Sequence, residues 1–484
     1  MSQNHQDKIF SGLFWKFAER ILAQGISFVV SILLARLLAP EAYGIVAMVM
    51  VFINIANIFV TGGFSQALIQ KKDADETDFS TIFHCSFVLS LLIYGICWLA
   101  APYIAAFYNT PELTTVFRVF SLKLPISAYN SIQHAYVSRH MLFKRFFYST
   151  LFGTLVSAAV GVVMAFMGFG VWALVAQYLV NSAIDTLVLA ITVPWRPRML
   201  FSTASARSLM RFGWKCLAAN LIGTIYSNIR SLVIGKFYTA EDLAYYSKGK
   251  HFPDLIMDNV VTSITSVLFP ALSQHSDDPA ALKALTQKSI RCTAYVVFPM
   301  MAGMLAVARP MILLLLTEKW ADCVIYLQMV CIYNALRALS QTNLQAITAM
   351  GRSDIVLKLE FIKKPVSISL IFLALPFGVE AVAASLPVSG AFTMAMNMLP
   401  NRKLMGYGFR EQIADVAAPL WMSAVMAAVV LPIQRLPLPL ILVLVLQITA
   451  GAAIYVGLSL ITKDETFYLL KKQLLGKLVS KKRA

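Results

Sequence analysis

Three cations in this sequence stand deep inside apolar segments that are long enough to span a membrane as helices. At a rise of about 1.5 Å per residue, Arg20 lies about 12 Å into the first segment, Lys123 about 15 Å into the fourth and Arg337 about 22 Å into the tenth. An ionised side chain at such depth costs several kcal/mol unless it faces the protein interior or a wet cavity. Because arginine can hold a pyrophosphate through two parallel hydrogen bonds, these cations predict a hydrated cavity for an anionic group.

Five further cations extend this predicted site. Lys16 and Lys215 lie near helix ends, where their side chains could instead extend to the lipid headgroups. Lys363 precedes Lys364, and neighbours on a helix are about 100° apart, so at most one of the two can point squarely into a cavity. The complete predicted substrate-binding set is Lys16, Arg20, Lys123, Lys215, Arg230, Lys250, Arg337 and Lys363.

Three embedded acids are candidates for coupling transport to an ion. Glu19 immediately precedes Arg20, which favours a structural ion pair over a proton carrier. Asp254 and Asp258 lie one helical turn apart. They could titrate if they are buried, or pair with Lys250 instead.

The sequence contains no catalytic constellation, so we predict no catalytic residue, metal or cofactor. It lacks a Gly-rich phosphate loop and an HExxH motif, and His134 and His140 do not have the spacing of a helical metal pair. Asp73 and Asp75 form a DxD pattern like that of glycosyltransferases. Their loop is short and predicted to be cytoplasmic, which is typical of a solvated hairpin.

The composition is that of a polytopic membrane protein. The 484 residues are 58% hydrophobic and 13% charged, with a mean hydropathy of +0.70. At about 20 residues per crossing, this length holds on the order of fourteen helices. The net charge of +17 indicates cytoplasmic loops that face anionic lipid, then a polyanionic ligand, and no nucleic-acid partner.

Fourteen apolar segments are predicted to be membrane helices. Lysines and arginines concentrate in alternate connections and in the tail, which predicts that both termini are cytoplasmic. The segments are 12–38, 44–69, 81–105, 113–137, 146–167, 170–193, 207–235, 243–273, 289–308, 322–349, 355–376, 378–400, 412–433 and 437–461.

The sequence also carries signs of an internal repeat. Trp15-Lys16 is echoed by Trp214-Lys215, LLAPEAYG (37–44) by FYTAEDLAYY (237–246), and FSQALIQ (64–70) by FPALSQ (269–274). Six helices per half predict two lobes related by an axis along the membrane normal, which enclose a cleft. The predicted domains are an N-terminal lobe (1–200), a C-terminal lobe (201–405) and two extra helices with a basic cytoplasmic tail (406–484).

These segments resemble a known family. LLARLLAPEAYGIVAMVMVF, GGFSQALIQKKDADETDF, GKFYTAEDLAYYSKGKHFPD and LFPALSQHSDDPAAL are similar to the polysaccharide transporter branch of the multidrug/oligosaccharidyl-lipid/polysaccharide exporter superfamily. The resemblance implies export of an undecaprenyl-pyrophosphate-linked oligosaccharide across the bacterial inner membrane through a cationic cavity. It also implies association with membrane lipid, a glycan polymerase and chain-length machinery.

Two other functions are alternatives to this one. A multidrug cation antiporter of the same superfamily needs net acid in its cleft, whereas the embedded charges here are mainly positive. A polytopic glycosyltransferase or polymerase predicts a large exported loop with an acidic base, which the sequence lacks.

Overall fold

A computed structural model describes residues 3–71, 73–469 and 471–472. Within its helices, the side chains at 3–14, 16–18, 20–21, 64, 66, 212 and 267 lie outside the description. The described residues form α-helices joined by turns and short 3-10 segments, with no β-strand among them. The chain divides into two compact units, with the boundary between Ala244 and Tyr245.

The first unit contains nine helices in its described part. They are α1 (Gln3–Leu37), α2 (Pro40–Thr61), α3 (Phe64–Gln70), α4 (Glu76–Phe107), α5 (Leu113–Phe120), α6 (Lys123–Arg139), α7 (Phe143–Phe166), α8 (Val171–Thr192) and α9 (Thr203–Phe237). A buried core that includes Ile82, Ile132, Phe146 and Leu189 joins α4, α6, α7 and α8.

The second unit follows the boundary inside α10 (Ala240–Ser273). It contains α11 (Pro279–Leu316), α12 (Cys323–Ala349), α13 (Ser353–Ala374), α14 (Val379–Met405), α15 (Phe409–Val430) and α16 (Leu440–Ile461). The final two helices pack on α11: the Tyr295 hydroxyl donates to Ser459 Oγ at 2.8 Å, and the Tyr455 hydroxyl donates to the Tyr295 carbonyl at 2.9 Å. The predicted lobe boundaries at 200 and 405 stay predictions.

Eleven helices in the described residues are long and apolar enough to cross a membrane. They are α2, α4, α7 to α12 and α14 to α16, with the α9 stretch beginning at Gly213. The chain is therefore a multi-pass membrane protein. Among the other predicted crossings, α1 has a shorter apolar stretch (Leu22–Leu37), and the count of fourteen stays a prediction.

The predicted single helix 44–69 is wrong, because it breaks at Gly62 and Gly63 into α2 and α3. A Cβ on Gly63 would lie 2.2 Å from the carbonyl oxygen of Gly213 on α9. The turn can pack this closely on α9 only because Gly63 carries no side chain.

The predicted single helix 113–137 also breaks, between α5 and α6. The Ser121 hydroxyl donates to the Phe117 carbonyl at 2.6 Å, and the Leu124 N–H donates to the Ser121 carbonyl at 2.9 Å. These local bonds replace the regular helical pattern for one turn. Lys123 is consequently the first residue of α6 and does not stand in the middle of a helix.

Candidate functional site

Lys123 is a half-buried cation of the first unit without an acidic partner among the described residues. Its side chain is half-buried, and its ammonium nitrogen lies 5.9 Å from the centre of the Tyr178 ring on α8. Among the described residues of this unit, no carboxylate forms an ion pair with Lys123. A ring face attracts a cation without neutralising its charge. The ammonium therefore keeps its positive charge available for an anion.

Two more predicted cations of this unit lie on α9 and differ in their surroundings. The Lys215 side chain is exposed and forms no ion pair with a described residue. Arg230 is 9% exposed and interacts with its neighbours. Lys215 is thus the more accessible of the two.

The remaining predicted cations of the first unit, Lys16 and Arg20, are on α1, and their side chains lie outside the described residues. Glu19 between them is described: the Thr150 hydroxyl of α7 donates to Glu19 Oε1 at 3.1 Å. Trp15 adds an edge contact to Phe147 with ring centres 5.2 Å apart. Glu19 therefore contributes to the packing of α1 on α7.

In the second unit, Arg337 of α12 is held by two acids of α10. Arg337 Nη2 lies 2.9 Å from Asp258 Oδ1, and Nη1 lies 3.9 Å from Asp254 Oδ1. Asn334 Nδ2 donates to Asp254 at 2.9 Å, and Lys250 Nζ lies 4.0 Å from the same carboxylate. Two cations and two carboxylates sum to zero formal charge, so this cluster is neutral when empty.

Lys363 belongs to a buried polar network in the second unit. Its side chain is 5% exposed, and its ammonium lies 2.6 Å from Glu360 Oε1 and donates to Asn397 Oδ1 at 3.0 Å. Asn397 in turn donates to Ser340 Oγ at 2.7 Å. The next residue, Lys364, also pairs with Glu360, at 3.6 Å. This network joins α12, α13 and α14.

Sequence reasoning missed one polar cluster of the first unit. Asn130 of α6 donates to Asp185 Oδ2 of α8 at 2.7 Å, and also to Thr186 Oγ1 at 3.0 Å. His134 Nε2 lies 3.5 Å from the same Asp185 oxygen. The available signal was the four-residue spacing of Asn130 and His134, which places both on one face of a helix.

Neither unit contains a metal centre in its described residues, where no group of three or more His, Cys, Asp or Glu side chains has suitable geometry. What both units contain is ionised side chains placed on apolar helices. The class is thus a multi-pass membrane protein with polar sites inside its helical units.

This chain belongs to the family described as polysaccharide biosynthesis protein, whose sequence model matches residues 33–325. It is 25% identical over 308 residues to the succinoglycan biosynthesis transport protein ExoT of Rhizobium meliloti (63% of this chain, 62% of ExoT). It is 23% identical over 425 residues to the lipopolysaccharide biosynthesis protein WzxC of Escherichia coli (86% of each chain). A third relative is the teichuronic acid biosynthesis protein TuaB of Bacillus subtilis, at 25% identity over 302 residues (62% of each chain). The matches to ExoT and TuaB therefore span just under two-thirds of those proteins.

Solved structures identify the fold. The lipid II flippase MurJ in an inward closed conformation matches with a TM-score of 0.76 at 15% identity, over 94% of this chain and 98% of MurJ. An inward-facing multidrug resistance MATE family transporter matches with a TM-score of 0.60 at 14% identity, over 79% of this chain and 94% of the transporter. At these identities, the likeness defines the helical architecture alone.

Proposed function

We propose that this protein is a flippase that moves an undecaprenyl-pyrophosphate-linked oligosaccharide across the bacterial inner membrane by alternating access. The carrying observation is Lys123, an embedded cation with no described acidic partner. The names of the relatives support the substrate class, since they refer to succinoglycan transport, lipopolysaccharide biosynthesis and teichuronic acid biosynthesis. MurJ, which has a similar fold, is named for flipping lipid II.

The chemistry of such a substrate explains why embedded cations are needed. A pyrophosphate headgroup carries several negative charges, and an isolated charge in hydrocarbon is strongly disfavoured. In this proposal a fixed ammonium at Lys123 offsets that cost, while Lys215 offers a second, exposed ammonium on α9. The polyisoprenyl tail stays in lipid, so the protein needs to shield only the headgroup and sugars.

Arg337 takes part by exchanging partners. It is paired with Asp258 when the site is empty, and a phosphate oxygen can replace that carboxylate oxygen with little change in charge around the guanidinium. Arginine suits this exchange because its planar group binds carboxylate and phosphate with the same two-bonded geometry. The neutral cluster also avoids leaving a bare cation in the empty transporter.

The finer architecture belongs to the same proposal. It comprises fourteen crossings, with two six-helix lobes (1–200 and 201–405), two added helices (406–484) and both termini in the cytoplasm. The proposed partners are the lipid-linked oligosaccharide, membrane lipid, a glycan polymerase and chain-length machinery. The protein carries out transport and no covalent chemistry, so it needs no cofactor.

The test uses a strain that lacks this gene and is complemented with Lys123→Gln. We expect surface polysaccharide to fall strongly, lipid-linked oligosaccharide to accumulate, and the protein to remain in the membrane at its normal level. Lys358→Gln is the matched control, because Lys358 is exposed on α13 and forms no ion pair with a described residue. Normal polysaccharide output from Lys123→Gln would refute the assignment of Lys123.

A multidrug antiporter is the second candidate, favoured by the fold of the MATE family transporter. Such a protein binds organic cations and needs unneutralised acid. Here Asp254 and Asp258 are both occupied by Arg337. Unchanged drug sensitivity in the deletion strain, together with loss of surface polysaccharide, supports the flippase over this alternative.

A further inference from the structure

His134 and Asp185 face each other in the first unit, with side chains 44% and 19% exposed and with unused hydrogen-bonding capacity. His134 Nε2 and Asp185 Oδ2 are 3.5 Å apart, beyond the usual length of a charge-assisted hydrogen bond. Both His134 Nε2 and the other carboxylate oxygen, Asp185 Oδ1, are buried atoms without a hydrogen-bond partner. Buried polar atoms are nearly always paired, because leaving one unpaired is costly. A proton on His134 Nε2 would place a donor between these two groups.

Asn130 and Ser149 both donate toward the Asp185 carboxylate and share their hydrogens with other acceptors. Asn130 gives its amide hydrogens to Asp185 Oδ2 and to Thr186, and Thr186 donates to the Ser182 carbonyl at 2.7 Å. On α7, Ser149 contacts the carboxylate and also donates to the Phe146 carbonyl at 3.2 Å. The Phe146 ring covers the imidazole, with ring centres 4.5 Å apart.

Several other titratable groups on the helices packed against α6 and α8 are engaged elsewhere. Their partners are Asp78 with Lys71, His84 with the Ser80 carbonyl, Arg118 with the Trp98 ring, Arg139 with the Leu68 carbonyl, Lys144 with the Trp15 ring, Arg145 with the Thr192 carbonyl, Tyr129 with Gln133, Glu19 with Thr150, and Tyr178 with the Lys123 ammonium. On α2, Glu41 is exposed and Tyr43 interacts with its neighbours. In the described part of the unit, His134 is thus the charged group that acts on Asp185.

We propose that His134 and Asp185 form a proton-binding site that couples proton movement to the position of α6. This inference rests on the proposed function for its role in transport. A proton from water binds Nε2 of neutral His134, and the resulting N–H donates to Asp185 Oδ2. The charge of the pair changes from −1 to 0, and no other bond is made or broken.

The geometry explains how one proton moves a helix. Binding converts a 3.5 Å approach into a charge-assisted hydrogen bond of about 2.8 Å, which draws α6 toward α8. Lys123 and His134 lie on the same continuous helix, about 16 Å apart along its axis. A displacement at His134 therefore reaches the proposed substrate lysine through a rigid element.

The experiment is a proton titration of the purified full-length protein in lipid nanodiscs, without substrate. Infrared difference spectra between about pH 5 and pH 8, the range in which histidine ordinarily titrates, report the imidazole and carboxylate bands. The chain has six histidines, so the readout is a difference: we expect one titrating step of the wild-type protein to be lost in both His134→Gln and Asp185→Asn, while the other steps remain. His140→Gln is the matched control, since His140 follows the same helix but bonds to the Tyr136 carbonyl, and it should keep the step.

If a correctly folded His134→Gln or Asp185→Asn protein keeps every titrating step of the wild-type protein, the proton site is overturned. Asp185→Asn keeps the shape of the side chain and its contact with Asn130. The two variants change different helices, so if one protein misfolds, the other still tests the proposal. Polysaccharide export by the same variants tests the coupling. If export by His134→Gln responds to an imposed pH gradient as export by the wild-type protein does, the coupling is overturned. Failure of the flippase proposal appears separately, as normal surface polysaccharide in the deletion strain, because the titration needs no substrate.

Discussion

Lys123 of the first unit and Arg337 of the second are both partly buried cations, yet their surroundings differ. Lys123 meets the face of Tyr178 and no described carboxylate, whereas Arg337 lies between Asp254 and Asp258. An unneutralised ammonium attracts an anion directly, but holding it away from water costs free energy. A guanidinium that is paired with a carboxylate has a lower cost without ligand, but it must release that carboxylate to bind an anion. In the proposed function, the two units therefore offer an anion two different kinds of contact.

The strongest way to break this comparison is to reverse the charge at Lys123. We expect Lys123→Glu to lower polysaccharide export by about 30-fold or more, since losing a buried charge contact costs about 2–5 kcal/mol. Lys123→Arg keeps the charge and should retain much of the export. The measurement is surface polysaccharide at matched protein levels in the membrane. Equal export by the Glu and Arg variants would show that the charge itself is irrelevant.

A second prediction makes Arg337 resemble Lys123 by removing its nearer acid. In Asp258→Asn the guanidinium loses its 2.9 Å partner, so we expect a pyrophosphate lipid to bind about two- to fivefold more tightly. The effect is modest because Asp258 is 58% exposed, and exposed ion pairs contribute about 0.2–1 kcal/mol. Binding of undecaprenyl pyrophosphate to the protein in nanodiscs measures it.

Asp322→Asn is the control for that binding experiment, because Asp322 precedes α12 outside the cluster. It should bind the lipid as the wild type does. Weaker binding in Asp258→Asn than in this control would mean that Asp258 assists the anion and that the exchange model is wrong.

The smallest expected effect on export comes from Lys363, a cation fully engaged within the second unit. In Lys363→Met, Asn397 loses its donor while Glu360 keeps Lys364. We expect a loss of about 1–3 kcal/mol in stability from the unpaired buried amide, and less than a twofold change in export per molecule. Thermal unfolding and export normalised to protein level measure the two effects. An export defect as large as that of Lys123→Gln would place Lys363 in the binding site.

Much of the helical framework follows from the sequence, because apolar runs of membrane length have few other stable forms. The breaks do not follow. Neither Gly62-Gly63 nor Ser121-Leu122 rules out a continuous helix. The first break lies where Gly213, 150 positions later, packs against Gly63. Long-range packing of this kind leaves no local signal.

The sequence nominates site candidates by residue type but does not reveal their pairing. Charge singles out Lys123 and Arg337 as candidates, yet nothing local reveals that Asp258, 79 positions before Arg337, neutralises it. The His134 cluster escaped for the same reason, since its carboxylate lies on a different helix. Sequence spacing identifies neighbours within one helix, while contacts between helices depend on how the helices pack.

The contact between Gly63 and Gly213 has a practical consequence for anyone labelling this protein. A Cβ at Gly63 would lie 2.2 Å from the Gly213 oxygen. Even the methyl group of alanine would therefore push the turn away from α9, and a cysteine that carries a fluorophore would displace it further. Gly457, where an added Cβ would meet open space, is a better attachment point. Probes placed there can report on the protein without prying its helices apart.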